Sequence, residues 1–302
     1  MIMMTDLFGK KRWKVNLHTH TSVSDGKLSP TEVLARYREK GYDAVALTDH
    51  WEYGCSYTEN GITVLSGAEY NKGLDCRTGV FHIVGVGMES SPFKKGDAKK
   101  QTPQSIIDAI HAHGGIAILA HPAWSLNTPE QIRALQNIDA TEIYNTVSGV
   151  HMSRRPDSSL IVDMLAGEGI IYPLIADDDT HYYDGDECRS WIMVEAEEPS
   201  QKALLDAIRN QRFYATQGPE LHAWREGDEI VVRCSPCKEI VFLSNLPWTP
   251  RVFEGDGITE ARYEIGPREC FVRAEVTDAD GNRAWSNIIP IPDEKPPLKK
   301  KG

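Results

Sequence analysis

Apolar and polar positions follow two different textures along the chain. From residue 13 to about 215, short apolar runs recur: "WKVNLHTH", "DAVALTDH", "ITVLSGAEY", "VFHIVGVG", "IAILAHP", "ATEIYNT", "YPLIADDDTH" and "WIMVEAEE". Each has the length and β-branched content of a buried strand. Amphipathic stretches with helix-start signals lie between several of them. "SPTE" places Ser29 at the N-cap, Pro30 at N1 and Glu32 at N3. "TPEQ" at Thr128 repeats that logic, "TPQS" at Thr102 opens a third helix, and Gly41, Gly114 and Gly115 stop two of these helices. Alternating strands and helices predict parallel βα units, and seven or eight in about 200 residues predict an α/β barrel.

Beyond "QGPELHAW" helical periodicity disappears. "EIVVRCS", "EIVFLSN", "ARYEIG" and "CFVRAEV" alternate as strands, and "TDADGNRAW" carries an Asp-Gly pair suited to a hairpin. The expectation is a barrel over residues 1–218 and a small antiparallel, Ig-like β-sandwich over 219–294. A disordered Pro- and Lys-rich tail is expected over 295–302.

Composition narrows the function. The 302 residues include no run of eighteen apolar positions and no basic-then-apolar leader, so no membrane span or signal peptide is expected. Thirty-three basic against 44 acidic residues give a net charge of -11, which disfavours a long nucleic acid as partner. Small phosphorylated substrates stay open, because metal ions can supply local positive charge. The six cysteines form no disulfide framework, and scattered thiols point to the cytoplasm. "CSPC" at 234–237 lacks the second pair that a zinc site needs.

The chemistry sits at the ends of the predicted strands. His18 and His20 close the first, with Asp25 in the following loop. His50, Glu69, His82, His121, Asp179 and His181 close others, so six of the ten histidines lie there. Strand ends of a parallel barrel converge on one face. Mixed imidazole and carboxylate donors suit manganese, zinc or iron, and nine side chains suffice for two or three such ions.

The series H-x-H, D, T-D-H, G-x-E, H, A-H-P and D-x-H resembles that of the polymerase and histidinol phosphatase (PHP) family of metal-dependent phosphoesterases. The resemblance covers residue 13 to about 215. It implies a distorted seven-stranded βα barrel and three divalent ions. By match of motif, His18, His20, Glu69 and Asp179 hold one ion. Glu69, His82 and His121 hold a second, and Asp25, His50 and His181 a third. Asp179, His181 and His20 are expected to be catalytic as well. Asp179 is chosen among three consecutive aspartates because D-x-H is the family spacing, and Asp49 is expected to orient His50 or a neighbouring loop. The C-terminal segment resembles an appendage of a bacterial subset of the family, some of whose members hydrolyse esters other than phosphates.

The expected reaction is attack of a metal-activated hydroxide on a small phosphorylated metabolite or nucleotide. Arg154 and Arg155 follow the strand "TEIYNT" and are candidate phosphate contacts, with Asn145 a further substrate-binding candidate. The alternatives are a metallohydrolase of carboxylic or carbamate esters and a non-catalytic metal-binding assembly module. Homo-oligomerisation stays open. His111, His113 and His222 are expected to be structural, and His151 is a candidate proton donor.

Overall fold

The protein is described from a computed structural model, covering residues 4–94, 96–248 and 251–292. The sandwich boundary at 294 and the tail at 295–302 lie outside the described residues.

The first half carries strands β1 (Met4–Thr5), β2 (Lys11–Asn16), β3 (Ala44–Ala46), β4 (Tyr57–Glu59), β5 (Ile62–Leu65), β6 (Gly67–Lys72), β7 (Phe81–Val86), β8 (Ile116–Leu119) and β9 (Ala140–Asn145). β10 (Leu174–Asp177), β11 (Trp191–Glu195) and β12 (Phe213–Thr216) follow. The helices are α1 (Pro30–Glu39), α2 (Pro103–Ala112), α3 (Pro122–Ser125), α4 (Pro129–Arg133), α5 (Thr146–Val150), α6 (Ser159–Gly167) and α7 (Gln201–Arg209). Capping boxes at Ser29, Thr102 and Thr128 open α1, α2 and α4, as the local sequence demands.

β2, β3 and β5 run parallel in one sheet, and β6 to β10 form a second, five-stranded sheet. Two isolated parallel bridges join the sheets, Thr19 with Thr180 and His50 with Glu69. Val15, Leu17, Ala44, Ala46, Val84, Val86, Ile116, Ile118, Leu174 and Ala176 are fully buried in the apolar core that the two sheets share. The alternate positions Val45, Leu47, Ile83, Ala117 and Leu119 belong to outer clusters that include α1 and α2. The all-parallel expectation fails at two of the expected strands: β11 is antiparallel to both β2 and β12, and β7 is antiparallel to both β6 and β8. Only residues 73–80 separate β6 from β7, too few for a parallel crossover.

Residues 221–290 carry β13 (Leu221–Glu226), β14 (Glu229–Ser244), β15 (Val252–Glu264), β16 (Phe271–Thr277), β17 (Arg283–Trp285) and β18 (Ile289–Pro290). By hydrogen bonding these strands are linked into one antiparallel sheet, so the expected sandwich does not divide into two separately bonded sheets. The reason is β14, which joins the two runs read separately from the sequence. Its register shifts between Arg233 and Cys237, where Pro236 lacks an N–H, and the bulge lets the strand continue. One end of β14 pairs with β13 and the other with β16, while β15 follows both. β17 also pairs with β12, so the sheet runs on past residue 218 to β11 and β2. No helix among the described residues is long and apolar enough to cross a membrane.

Candidate metal centre

His18 and His20 lie just beyond β2, on chain held extended by backbone bonds from His20 N–H to Thr180 O and from Asp179 N–H to His18 O. Alternation therefore outlasts the strand, and the two Nε2 atoms stand 3.2 Å apart. Glu69 is the third residue of β6. His82, second in β7, reaches the same mouth because its strand is reversed: its N-terminal end lies where the neighbours present their C-terminal ends. His121 (φ 30°) and Asp179 (φ 52°) both adopt left-handed backbone, a strained conformation that such sites retain. Gly26 follows Asp25 where any Cβ would stand 2.5 Å from the His20 carbonyl oxygen, so only glycine lets this loop fold back so closely.

Three overlapping groups of donors result: His18, His20, Glu69 and Asp179; Glu69, His82 and His121; and His20, Asp25, His50 and His181. Within each group the donor atoms lie within 4.8 Å of one another. Glu69 joins all the clusters. Its Oε2 stands 3.3 Å from His18 Nε2, 3.0 Å from His20 Nε2 and 3.1 Å from His50 Nδ1. Its Oε1 stands 2.7 Å from His82 Nδ1 and 3.4 Å from His121 Nε2. Asp179 Oδ1 faces His18 Nε2 at 3.1 Å and His20 Nε2 at 3.2 Å.

The outer nitrogens show which atoms remain for a cation. His18 Nδ1 lies 2.7 Å from Glu142 Oε1, His121 Nδ1 3.1 Å from Ser125 Oγ, and His181 Nδ1 2.7 Å from the Asp179 carbonyl oxygen. Each acceptor holds the proton on Nδ1 and turns a lone pair on Nε2 inward. Asp179 Oδ1 and His50 Nδ1 are buried without a hydrogen-bond partner among the described residues. Inward lone pairs, crowded carboxylates and orphaned acceptors fit divalent cations.

Electrostatics agree. Burial works against a charged His18 or His20 ring, but the carboxylates of Asp179 and Glu69 outweigh it. With Glu142 added, His18 is held well above its ordinary pKa, and His20 rises to about 9. Burial raises Glu69 and Asp179, yet the surrounding histidines drive both well down. These protons occupy the places that cations would take.

Glu142 had no signal beyond one acid in the apolar run "ATEIYNT". It is fully buried and accepts from the His121 backbone N–H at 2.8 Å and from Asn145 Nδ2 at 2.7 Å. Asp49 clamps the Asp25 loop through Thr21 and Ser24 rather than orienting His50. Asp178 accepts three successive backbone N–H groups from Cys188 to Ser190, and burial pushes its pKa up to about 6.

Seven of the donors, all but His18 and His20, floor a cleft of about 390 Å³ whose walls include Lys27, Trp124, Met152 and Tyr182. Arg154 and Arg155 are not on those walls. Both are exposed, and the Arg154 guanidinium donates to Gly149 O at 2.8 Å. Asn145 is buried and its amide N–H groups are spent on Glu142 and Asp179 (3.2 Å), so it braces the site instead of reaching substrate. His151 donates to Asp184 O at 2.9 Å outside the cleft. His111 pairs with Asp139, and His222 with Asp6, as structural residues.

Residues 16–143 match the PHP domain, and Asp179 and His181 lie beyond the matched span. Over 84 residues the chain is 36% identical to a 5'-3' exoribonuclease of Haemophilus influenzae, across 26% of this chain and 30% of that protein. Over 81 residues it is 36% identical to a 3',5'-nucleoside bisphosphate phosphatase of Chromobacterium violaceum, across 25% and 28%. In both cases the match spans less than a third of the relative. A solved structure from Bacteroides vulgatus, a two-domain protein containing a predicted PHP-like metal-dependent phosphoesterase, aligns with a TM-score of 0.54 at 16% identity. That alignment covers 95% of this chain and 98% of the other, and it shows a shared fold.

Proposed function

We propose that this protein is a metal-dependent phosphoesterase that hydrolyses a small phosphorylated metabolite or nucleotide. The observation that carries the reading is the convergence of nine donor side chains in three overlapping groups, seven of them lining one cleft. The free thiols fit a cytoplasmic setting.

Divalent ions at these groups would supply Lewis-acid stabilisation of phosphate charge and lower the pKa of water to roughly 7. The chain's own part is positioning. Glu69 divides its two oxygens between the groups, and Asp179 and His20 tie the central group to its neighbours. Glu142 and Ser125 fix the tautomers of His18 and His121. His181 and Asp25 stand at the open side, 3.6 Å apart, and with His50 would hold a further cation, while the departing alcohol oxygen takes its proton from solvent water as the P–O bond breaks.

Turnover of p-nitrophenyl phosphate, bis-p-nitrophenyl phosphate and p-nitrophenyl acetate tests the reading. Purified protein is loaded with manganese, zinc or iron and compared with Asp179→Asn. A nucleoside 3',5'-bisphosphate and a 5'-phosphorylated oligoribonucleotide, suggested by the two relatives, extend the panel. Metal-dependent phosphate ester cleavage, reduced on the order of 10³-fold in Asp179→Asn, is the expected result. Turnover of the acetate alone overturns the reading in favour of a carboxylic ester hydrolase.

A further inference from the structure

Two unlike side chains line the cleft. Trp124 stands edge-on to His121 and His82, with ring centroids 4.9 and 5.6 Å apart. Lys27 Nζ lies 5.0 Å from the centre of the Tyr182 ring, beside His181. The Lys27 backbone N–H donates to the His181 carbonyl oxygen at 2.9 Å, which fixes where that side chain leaves the wall.

Lys27 is the one lysine or arginine among the described residues lining the cleft, and its ammonium makes no ion pair among them. Asp25, Glu69 and Asp179 otherwise line it with carboxylates. A free cation beside an acidic floor serves an anion that enters from solvent. The indole of Trp124 is the largest flat apolar surface on the walls, only half-buried, and is held by packing against two rings of the floor. A flat group in the cleft can pack against it at little ordering cost.

We propose that Lys27 and Trp124 determine specificity: the Lys27 ammonium binds an anionic oxygen of the substrate's phosphoryl group, and the Trp124 indole takes an aromatic or heteroaromatic ring attached to it. The substrate class is then the phosphate ester of a ring-bearing alcohol. The inference rests on the phosphoesterase reading for its use in turnover, but the subsite itself is measurable by binding.

Calorimetric titration of manganese-loaded protein with phenylphosphonate and methylphosphonate, neither of which has an ester bond to cleave, tests it. Wild-type protein is expected to bind phenylphosphonate about tenfold more tightly than methylphosphonate. Trp124→Leu brings the two affinities together by weakening only phenylphosphonate, while Trp124→Phe keeps the difference. Lys27→Met weakens both by a common factor of about ten, and Lys27→Arg restores most of it. Manganese content, measured alongside, stays at the wild-type level in all four variants.

Equal affinities in the wild type, no binding of either phosphonate, or a Lys27→Met protein that binds both as the wild type does overturns the inference. A ratio that survives Trp124→Leu does so too. Should phosphonates bind as expected while no phosphate ester is hydrolysed, the phosphoesterase reading falls and the subsite stands. Should phosphate esters be hydrolysed while the phosphonates fail these tests, the reverse holds.

Discussion

Buried charge is handled in opposite ways at the cleft floor and in the C-terminal sheet. Arg273 of β16 is fully buried, yet its guanidinium meets Asp163 of α6 at 2.6 and 2.8 Å and Glu275 at 2.5 Å. Arg251 Nη2 stands 2.8 Å from Glu269 Oε1, and Glu269 also accepts from Tyr263, Ser244 and the Gly266 N–H. Each cation there finds its anion within the chain. At the cleft floor, carboxylates and imidazole lone pairs converge without a lysine or arginine among them. One region is electrostatically complete; the other is complete only when cations arrive from solution. Burying an unpaired charge is costly, so such an arrangement persists where a ligand repays it.

The contrast is broken most severely in the self-sufficient region. Arg273→Ala leaves Asp163 and Glu275 facing a hole, and chemical denaturation is expected to show a loss of about 3 kcal/mol. Metal stoichiometry of the folded fraction stays as in the wild type. A variant that keeps its stability but loses metal would show that the two regions are not separate.

Next in size is the brace behind the centre. Glu142→Gln preserves shape but removes the charge that holds His18 and reaches His121 through its N–H. Metal affinity, measured by competition with a chelator, is expected to fall roughly 10-fold, toward the lower end of what such partners contribute. The far-ultraviolet circular dichroism spectrum should not change. An unaltered affinity would mean that Glu142 serves packing alone.

A smaller effect separates metal-free from loaded protein. His20 titrates near 9 in the folded, metal-free chain and near 6.5 when unfolded. The proton-bound contact therefore contributes fully below pH 6.5 and is lost as pH rises through about 9. Thermal melts in chelator should fall by a few degrees from pH 6.5 to 9, while manganese-loaded protein gains over the same interval, because cations compete with those protons. Parallel curves with and without metal would refute the shared position of proton and cation.

The smallest expected effect is none. Cys234 and Cys237 are buried 3.5 Å apart, and burial drives both thiols upward in pKa. Cys55 and Cys76 are exposed. Alkylation of the native protein should therefore label the exposed pair and spare the buried one. Rapid labelling at 234 and 237 would reopen a chemical role for the C-x-x-C segment.

Local chemistry was legible in the sequence. Capping pairs such as Ser29 with Glu32 act within one helical turn, so they form wherever the chain goes. All nine donors are of the residue type that the metal reading needs, and the groups implied by motif resemblance recur in space, with His20 shared by two of them. Arg154 and Arg155 show the opposite limit: adjacency in sequence to a strand end does not aim a side chain, and neither lines the cleft.

Residue type and order thus determined, from sequence alone, what the centre is made of. The tertiary structure decided how it is assembled. The reversal of β7 brings His82 to the mouth, the parallel bridges draw His18 toward Asp179 and His50 toward Glu69, and the fold sets Glu142 behind His18. It also merges the C-terminal strands into the sheet that carries β2. The physical reason is range. Donor chemistry and helix capping reside in a few neighbouring atoms, whereas strand direction and the meeting of residues 18 and 142 depend on how the whole chain closes its core.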